Sequence, residues 1–131
     1  MDQQADGNKT VRVLIIDDDE LMVRVVSAAV EALDCEIVGV ANDGKAGLEM
    51  YTQTSPDLVL LDIIMPKMSG LEALAQLGNE AYVVMLTSLD DEVSIEDSMI
   101  GGAKDYLRKN MSMKDMVARL ERHVQRLSKV S

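Results

Sequence analysis

Polar residues able to bind a metal and accept a phosphoryl group stand at the ends of short apolar runs in this chain. Asp17, Asp18 and Asp19 directly follow one run, and Asp62 follows another. Unbroken apolar runs of this length are typical of strands buried on both faces of a parallel sheet. Ligands of such sheets bind at the carboxyl ends of the strands. The sequence therefore predicts a gathering of carboxylates suited to a divalent cation, with an aspartate available as acceptor.

Two further residues at strand ends complete this chemistry. Thr87 ends the run 83–86, and Lys109 follows the short run 106–108. Phosphoryl transfer depends on positioning and charge neutralisation more than on covalent help from side chains. A lysine supplies positive charge and a hydroxyl supplies a hydrogen-bond donor, so both suit a phosphoryl site.

Composition narrows the class of protein. The 131 residues suffice for one domain with a buried core. No run reaches the ~18 apolar residues of a membrane span, and no signal peptide is evident, so we expect a cytoplasmic protein without a membrane partner. The lone Cys35 precludes an internal disulfide and is expected to be a small buried residue at a strand start. A net charge of −10 disfavours nucleic-acid binding by this chain alone.

Apolar periodicity predicts five strands alternating with five helices, which is the pattern of a doubly wound α/β sheet with right-handed crossovers. We expect a mobile arm over residues 1–10, one domain over 11–127 and a short tail over 128–131. The expected strands are 11–16, 36–41, 57–61, 82–86 and 105–108, the last an edge strand. The expected helices are 20–33, one running to about Gln53 from a turn at Asn42-Asp43-Gly44 that can cap it, 70–77, 91–100 and 113–127.

Taken in order, these strand-end residues resemble the receiver domain of bacterial response regulators, in the manner of the chemotaxis regulators of two-component systems. The matching positions are Asp17-Asp18, then Asp62 within 62–70, then Thr87 and Lys109. The resemblance covers residues 11–127. It implies a flavodoxin-like fold with five parallel strands in the order 2-1-3-4-5.

The resemblance also implies the cofactor and its ligands. Mg²⁺, or Mn²⁺, would be held by Asp18, Asp62 and the backbone carbonyl of Ile64, with Asp17 acting mainly through water. Such an ion takes oxygen ligands and retains several waters, which agrees with this small set. Converging carboxylates are expected to raise one another's pKa when no cation is present, and Lys109 to relieve part of that repulsion.

The remaining implied roles concern signalling. Asp62 would accept a phosphoryl group from a phosphohistidine on a sensor histidine kinase or a histidine phosphotransfer protein. Thr87 and Lys109 would bind phosphoryl oxygens, and Tyr106 would be the switch aromatic. The chain would catalyse only its own phosphorylation and dephosphorylation. Phosphorylation would alter the conformation of the face built from 91–100, 105–108 and 113–127. A target protein or a second copy of the chain would bind there.

Some polar residues have simpler interpretations. Asp19 is expected to cap the first helix rather than to bind metal. His123 is expected to lie at the surface without a functional role. Asn110 follows Lys109 where most receivers have proline, and Ile64 and Leu89 are apolar where relatives often have polar groups. Because a cis bond before a residue other than proline is costly, we predict a trans Lys109–Asn110 bond.

Two other classes of protein remain as alternatives. Asp17-Asp18-Asp19 after a first strand also fits a haloacid-dehalogenase-type phosphatase with Asp17 as nucleophile, although the second acidic pair of such enzymes is missing after the fourth strand. A flavodoxin is the other alternative, but it would need a hydroxyl-rich phosphate loop after the first strand. Labelling with a phosphodonor distinguishes the three classes, because it marks Asp62 in a receiver, Asp17 in a phosphatase and neither residue in a flavin-binding protein.

Overall fold

The computed structural model of this protein describes residues 9–88 and 92–129. Most of the predicted N-terminal arm, residues 1–8, lies outside the described residues. So do Leu89, the predicted start of the fourth helix at Asp91, and the last two residues of the predicted tail.

Strands and helices alternate through the described residues, as the apolar periodicity predicts. Most boundaries agree with the sequence to within one residue, and the clearest change is that Asp62 and Thr87 form the last residues of their strands instead of following them. The elements are β1 (Arg12–Ile16), α1 (Glu20–Ala32), β2 (Glu36–Ala41), α2 (Gly44–Thr54), β3 (Leu58–Asp62), α3 (Gly70–Leu77), β4 (Val83–Thr87), α4 (Glu92–Ile100), β5 (Asp105–Arg108) and α5 (Met113–Ser128).

The five strands form one parallel sheet in the order β2-β1-β3-β4-β5. This confirms the predicted α/β fold, the flavodoxin-like strand order and the position of β5 at an edge. The order reverses direction next to β1, so a crevice forms between β1 and β3 at their carboxyl ends. That crevice is where the predicted site residues were expected to meet.

Helices cover both faces of the sheet, each over its own hydrophobic cluster. Alternate side chains of the central strands point to opposite faces. On one face, α1 contributes Val26 and α5 contributes Leu120 to a cluster with the β1 residue Ile15. On the other face, α3 contributes Leu74 to a cluster that includes Leu61 of β3. Burial on both faces explains why these strands read as unbroken apolar runs.

Short polar side chains cap several helices. The Asp19 carboxylate accepts hydrogen bonds from the backbone N–H groups at positions 21 and 22, which confirms its predicted role at the start of α1. Asp43 caps α2 in the same way. Ser69 and Glu72 form a reciprocal capping box at the start of α3. The caps at Asp19 and Ser69 fix where α1 and α3 begin, directly after the loops that carry Asp17, Asp18 and Ile64.

The prediction that His123 lies at the surface was wrong. His123 is only 6% exposed and follows Met116 and Leu120 along the buried stripe of α5. The three positions are separated by four and three residues, so they share one face of the helix. The side chain can be buried because Tyr82, just before β4, and Asp105, at the start of β5, lie within hydrogen-bond distance of its two ring nitrogens.

The peptide bond after Lys109 and the surroundings of Cys35 bear on two smaller predictions. The Lys109–Asn110 bond is trans, as predicted, and none of the described peptide bonds is cis. Cys35 lies directly before β2 and is half-buried; burial, and then the neighbouring charge of Asp34, raise the pKa of its thiol to about 11. Among the described residues, none of the helices combines the length and apolarity needed to cross a bilayer.

Candidate functional site

The predicted site residues lie together at the carboxyl edge of the sheet. Asp17 follows β1, Asp62 ends β3, Thr87 ends β4 and Lys109 follows β5. Parallel pairing places these strand ends side by side: Asp62 is opposite Leu86 in the ladder between β3 and β4. Four separate segments of the chain therefore meet at one edge because the strands that precede them are neighbours or near neighbours.

Lys109 reaches across the crevice to two carboxylates. Its Nζ lies 3.1 Å from Asp17 Oδ1 and 2.9 Å from Asp17 Oδ2, and 3.2 Å from Asp62 Oδ2. The backbone supports this reach, because the Lys109 N–H donates to the Thr87 carbonyl at 2.8 Å. The lysine side chain is only 12% exposed. The ion pair is therefore largely shielded, unlike a surface salt bridge, although solvent reaches the cluster at the exposed Asp18.

Asp17, Asp18 and Asp62 form a cluster suited to a metal ion. One carboxylate oxygen from each lies within 4.8 Å of the others. Asp17 and Asp62 are buried, whereas Asp18 is exposed at the mouth of the crevice. Although Asp17 Oδ2 is close to Lys109 Nζ, it accepts no hydrogen bond of good geometry within the described parts of the chain. A buried carboxylate oxygen without such a hydrogen bond, close to oxygens of two other carboxylates, is suited to bind a hard divalent cation.

The electrostatics of Asp62 reflect this crowding. Burial, followed by the negative charge of Asp17, raises the pKa of Asp62 from 3.8 to about 7, and Lys109 opposes the shift only in part. Burial alone lowers the pKa of Lys109, but the hydrogen bond that Lys109 donates to Asp17 and the charges of both carboxylates outweigh it and raise that pKa. The expected repulsion among the carboxylates is thus present at Asp62. Three carboxylates face one lysine, so the site carries excess negative charge that a bound cation would balance.

The loop after β3 holds Asp62 through backbone contacts. The Ile64 N–H donates to Asp62 Oδ1 at 3.3 Å, and the Gly70 N–H donates to the Ile63 carbonyl at 2.7 Å. The start of α3 is so close to the strand end that a Cβ at Gly70 would lie 2.1 Å from the Asp62 backbone oxygen. Sequence reasoning treated Gly70 only as the start of a helix and missed this packing requirement. The signal was present, because a glycine is needed wherever two backbone segments approach closely.

Thr87 and Tyr106 connect the site to the edge of the sheet. Thr87 is buried at the end of β4, beside the acidic cluster. Tyr106 is partly buried, packs on the cluster that includes Leu61, and pairs with Met85 in the ladder. The Arg108 guanidinium lies 5.6 Å from the centre of the Tyr106 ring. Thr87 and Tyr106 are thus on adjacent strands, the arrangement expected of the two predicted switch residues.

An open pocket adjoins the acidic cluster on the side of β2. Its volume is about 900 Å³, and its lining includes Asp18, Arg24 and Val40. Leu21, at the start of α1, also borders it and is 70% exposed. The pocket leaves the acidic cluster accessible from solvent and gives an incoming group room to approach.

Comparisons with known proteins agree with this geometry. Residues 13–121 match the sequence model of the response regulator receiver domain. The chain belongs to this family. The receiver is 34% identical over 115 residues to the chemotaxis protein CheY of Listeria monocytogenes, covering 86% of this chain and 97% of CheY. It is 38% identical over 115 residues to the transcriptional regulatory protein MctR of Rhizobium johnstonii, covering 85% of this chain but 54% of MctR.

A solved structure shows the same fold. The structure of the CheX–CheY–BeF3–Mg²⁺ complex from Borrelia burgdorferi contains a chain that superposes with a TM-score of 0.80 at 29% identity, covering 86% of this chain and 88% of that one. The receiver thus spans nearly the whole of one relative and about half of another. Receiver domains are signalling switches of two-component systems, and these relatives are bacterial. The family assignment favours the receiver over the phosphatase and flavodoxin alternatives.

Proposed function

We propose that this receiver accepts a phosphoryl group on Asp62 from a phosphohistidine of a sensor histidine kinase or a histidine phosphotransfer protein. The observation that carries the proposal is the burial of Asp62 beside Asp17, with the Lys109 ammonium bridging the two carboxylates and an open pocket bordering Asp17 and Asp18. The Lys109 ammonium beside Asp62 can neutralise charge on a phosphoryl group, and the pocket reaches the neighbouring Asp17 and Asp18.

The reaction exchanges one bond to phosphorus for another. A carboxylate oxygen of Asp62 forms a P–O bond while the P–N bond of the donor phosphohistidine breaks, and the imidazole leaves with the electron pair. Lys109, already 3.2 Å from Asp62 Oδ2, stays close enough to neutralise charge on the transferred group. Thr87 at the neighbouring strand end supplies a hydroxyl donor. The protein mainly positions and neutralises, as phosphoryl transfer requires.

A divalent cation, Mg²⁺ or Mn²⁺, fits the acidic cluster. Asp18, Asp62 and the carbonyl of Ile64 would hold it, with Asp17 acting mainly through water. The fit rests on one oxygen from each of three carboxylates lying within 4.8 Å of the others, and on Asp17 Oδ2, which accepts no hydrogen bond of good geometry among the described residues. When bound, the ion would supply the positive charge that this cluster lacks and keep Asp62 ionised.

We infer that the signal leaves through the face formed by α4, β5 and α5. A phosphoryl group on Asp62 offers the Thr87 hydroxyl a new acceptor, which draws Thr87 towards the site. The space that it vacates lies beside β5, where the Tyr106 ring can turn. The phosphoryl group shifts the equilibrium because it contacts the two states differently. A target protein or a second copy of the receiver would dock on this face, and residues 11–127 would form the receiver domain.

The acceptor can be tested by intact-mass measurement. Wild-type protein incubated with phosphoramidate and Mg²⁺ should gain one base-labile phosphoryl group, and Asp62→Asn should gain none. Asp19→Asn is the matched control, because asparagine keeps the helix cap while a neighbouring carboxylate is lost. This control should label as the wild type does. Full labelling of Asp62→Asn would refute the proposal, and mapping the label to Asp17 would favour the phosphatase alternative.

A further inference from the structure

A chain of partly buried hydrogen bonds ties α5 to the start of β5, at the opposite end of the sheet from Asp62. It consists of Tyr82, His123, Asp105 and Arg119, and is called the β5–α5 clamp below. Tyr82 directly precedes β4, Asp105 begins β5, and His123 and Arg119 lie on α5. The clamp therefore joins the start of β5 and the residue before β4 to the last helix, away from the acidic cluster.

The geometry assigns donors and acceptors along the clamp. His123 Nε2 lies 2.9 Å from Asp105 Oδ2. Because a carboxylate only accepts, this nitrogen must carry the hydrogen. In the neutral ring Nδ1 is then an acceptor, and the Tyr82 hydroxyl, 2.6 Å away, donates to it. Burial raises the pKa of Tyr82, which keeps its hydroxyl protonated as a donor. Both ring nitrogens are satisfied, which accounts for a histidine in the buried stripe of α5.

Asp105 is the centre of the clamp and is adjacent to the proposed switch residue. Its Oδ1 accepts from the backbone N–H of Tyr106 at 2.8 Å and from Arg119 Nη1 at 3.0 Å. Arg119 Nη1 also lies 3.2 Å from Oδ2, the oxygen that His123 contacts. One carboxylate thus holds the backbone of Tyr106 and two side chains of α5. Any shift of the Tyr106 backbone acts directly on α5 through this group.

Side-chain alternation makes Asp105 the link between the two faces of the sheet. Successive residues of a strand point to opposite faces. Leu107 packs in the cluster under α5, whereas Tyr106 packs on the opposite cluster. Asp105 therefore points towards α5, on the far side of the sheet from the Tyr106 ring. A rearrangement of that ring needs a physical link through the strand to reach α5, and the clamp provides one.

We propose that His123 is a positioning residue that couples Tyr106 to α5, so that the clamp carries the phosphorylation signal to the helix. The proposal rests on the proposed function, since it assumes that a group on Asp62 moves Tyr106. It adds a residue outside the phosphorylation site and assigns it a role in transmission rather than in chemistry.

The test compares backbone amide NMR shifts with and without beryllofluoride and Mg²⁺, taken as the difference within each variant. His123→Leu removes both hydrogen bonds and keeps apolar packing, whereas His123→Gln retains a donor towards Asp105. Arg122→Gln, on the same helix, is the control for loss of polarity on α5. Wild type should respond around Asp62, at Tyr106 and along 113–128.

In His123→Leu the response along 113–128 should fall at least twofold, while the response around Asp62 stays at the wild-type size. His123→Gln should restore more than half of the lost response, and Arg122→Gln should match the wild type. A fall of less than twofold in folded His123→Leu would overturn the proposal, and so would a failure of His123→Gln to rescue. A residue that merely stabilises the fold would lower stability in both His123 variants without this selective loss.

If His123→Leu does not fold, Tyr82→Phe replaces it as the test variant, because this substitution removes only the hydroxyl that contacts His123 and keeps the ring. Its α5 response should fall by at least a quarter, and a smaller change would count against the clamp. Absence of any beryllofluoride response around Asp62 in the wild type would instead refute the proposed function, and the proposal for His123 with it. The two failures are therefore distinguishable.

Discussion

Replacing Asp62 with asparagine should stabilise the metal-free protein, and the gain should depend on pH. Asparagine keeps the shape of the side chain but carries no charge, so it removes the repulsion from Asp17 and the desolvation of a buried carboxylate. The unfolded-state carboxyl ionises near 3.8 and the folded one near about 7. Because the folded protein holds this proton more tightly, wild-type stability falls as pH rises between these values, and the full cost is present above pH 7.

The size of the effect follows from the same shift. At about 1.4 kcal/mol for each tenfold change in proton affinity, a pKa raised from 3.8 to about 7 has a ceiling of about 4 kcal/mol. Solvent reaches the site past the exposed Asp18 and through the adjoining pocket, and screening there reduces the figure to about 1–2 kcal/mol. The attraction of Lys109 is already included in that shift, so it does not reduce the figure further. We therefore expect a net gain of about 1 kcal/mol at pH 8.

Urea unfolding in EDTA at pH 5 and pH 8 provides the measurement. The midpoint of Asp62→Asn should exceed that of the wild type by about 0.5 M at pH 8, with a clearly smaller difference at pH 5. Glu49→Gln, an exposed position within α2, should change stability by less than about 0.5 kcal/mol at both values. Saturating Mg²⁺ should stabilise the wild type more than Asp62→Asn.

Two outcomes would refute this reasoning. If Asp62→Asn is less stable than the wild type at pH 8, the contact with Lys109 outweighs the repulsion and desolvation. If the gain is the same at pH 5 and pH 8, it does not come from the ionisation of Asp62.

Three further predictions concern the surroundings of Asp62. Gly70→Ala should lower the free energy of unfolding by about 3 kcal/mol or more, measured by urea unfolding, because its Cβ would meet the Asp62 carbonyl oxygen at 2.1 Å. In Mg²⁺ titrations Asp18→Ala should weaken binding more than Asp19→Ala, which should instead cost about 1 kcal/mol of stability as a lost helix cap; the reverse order would contradict the assignment. Thr87→Ala should still take a phosphoryl group in intact-mass measurements but show a weaker amide-shift response at α5; an undiminished response would contradict its role as a switch.

The fold could be predicted from the sequence because local patterns largely determine it. The unbroken apolar runs require strands buried on both faces, and the amphipathic segments between them require helices that cover those faces. The edge position of β5 followed from its short, polar-ended sequence. The caps at Asp19 and Asp43 were readable because a capping side chain contacts backbone only two or three residues away.

The composition of the candidate site was also set by the sequence. Parallel strands place their carboxyl ends at one edge, so the residues that end them must converge, whatever the details of packing. Asp17, Asp62, Thr87 and Lys109 lie at that edge as expected. The strand order itself came from resemblance to a family, since local patterns do not specify which strands are neighbours.

Only the tertiary structure decided the interactions between distant segments. The lysine that bridges Asp17 and Asp62, the close approach of Gly70 to the end of β3, and the burial of His123 all depend on which side chains face each other across the fold. His123 illustrates the reason. A histidine in a helix is expected at the surface unless both of its ring nitrogens find partners. Those partners are Tyr82, just before β4, and Asp105 in β5, which are 41 and 18 residues away in sequence. Hydrogen bonds to these distant residues offset the cost of burying the ring, and a local sequence pattern cannot reveal them.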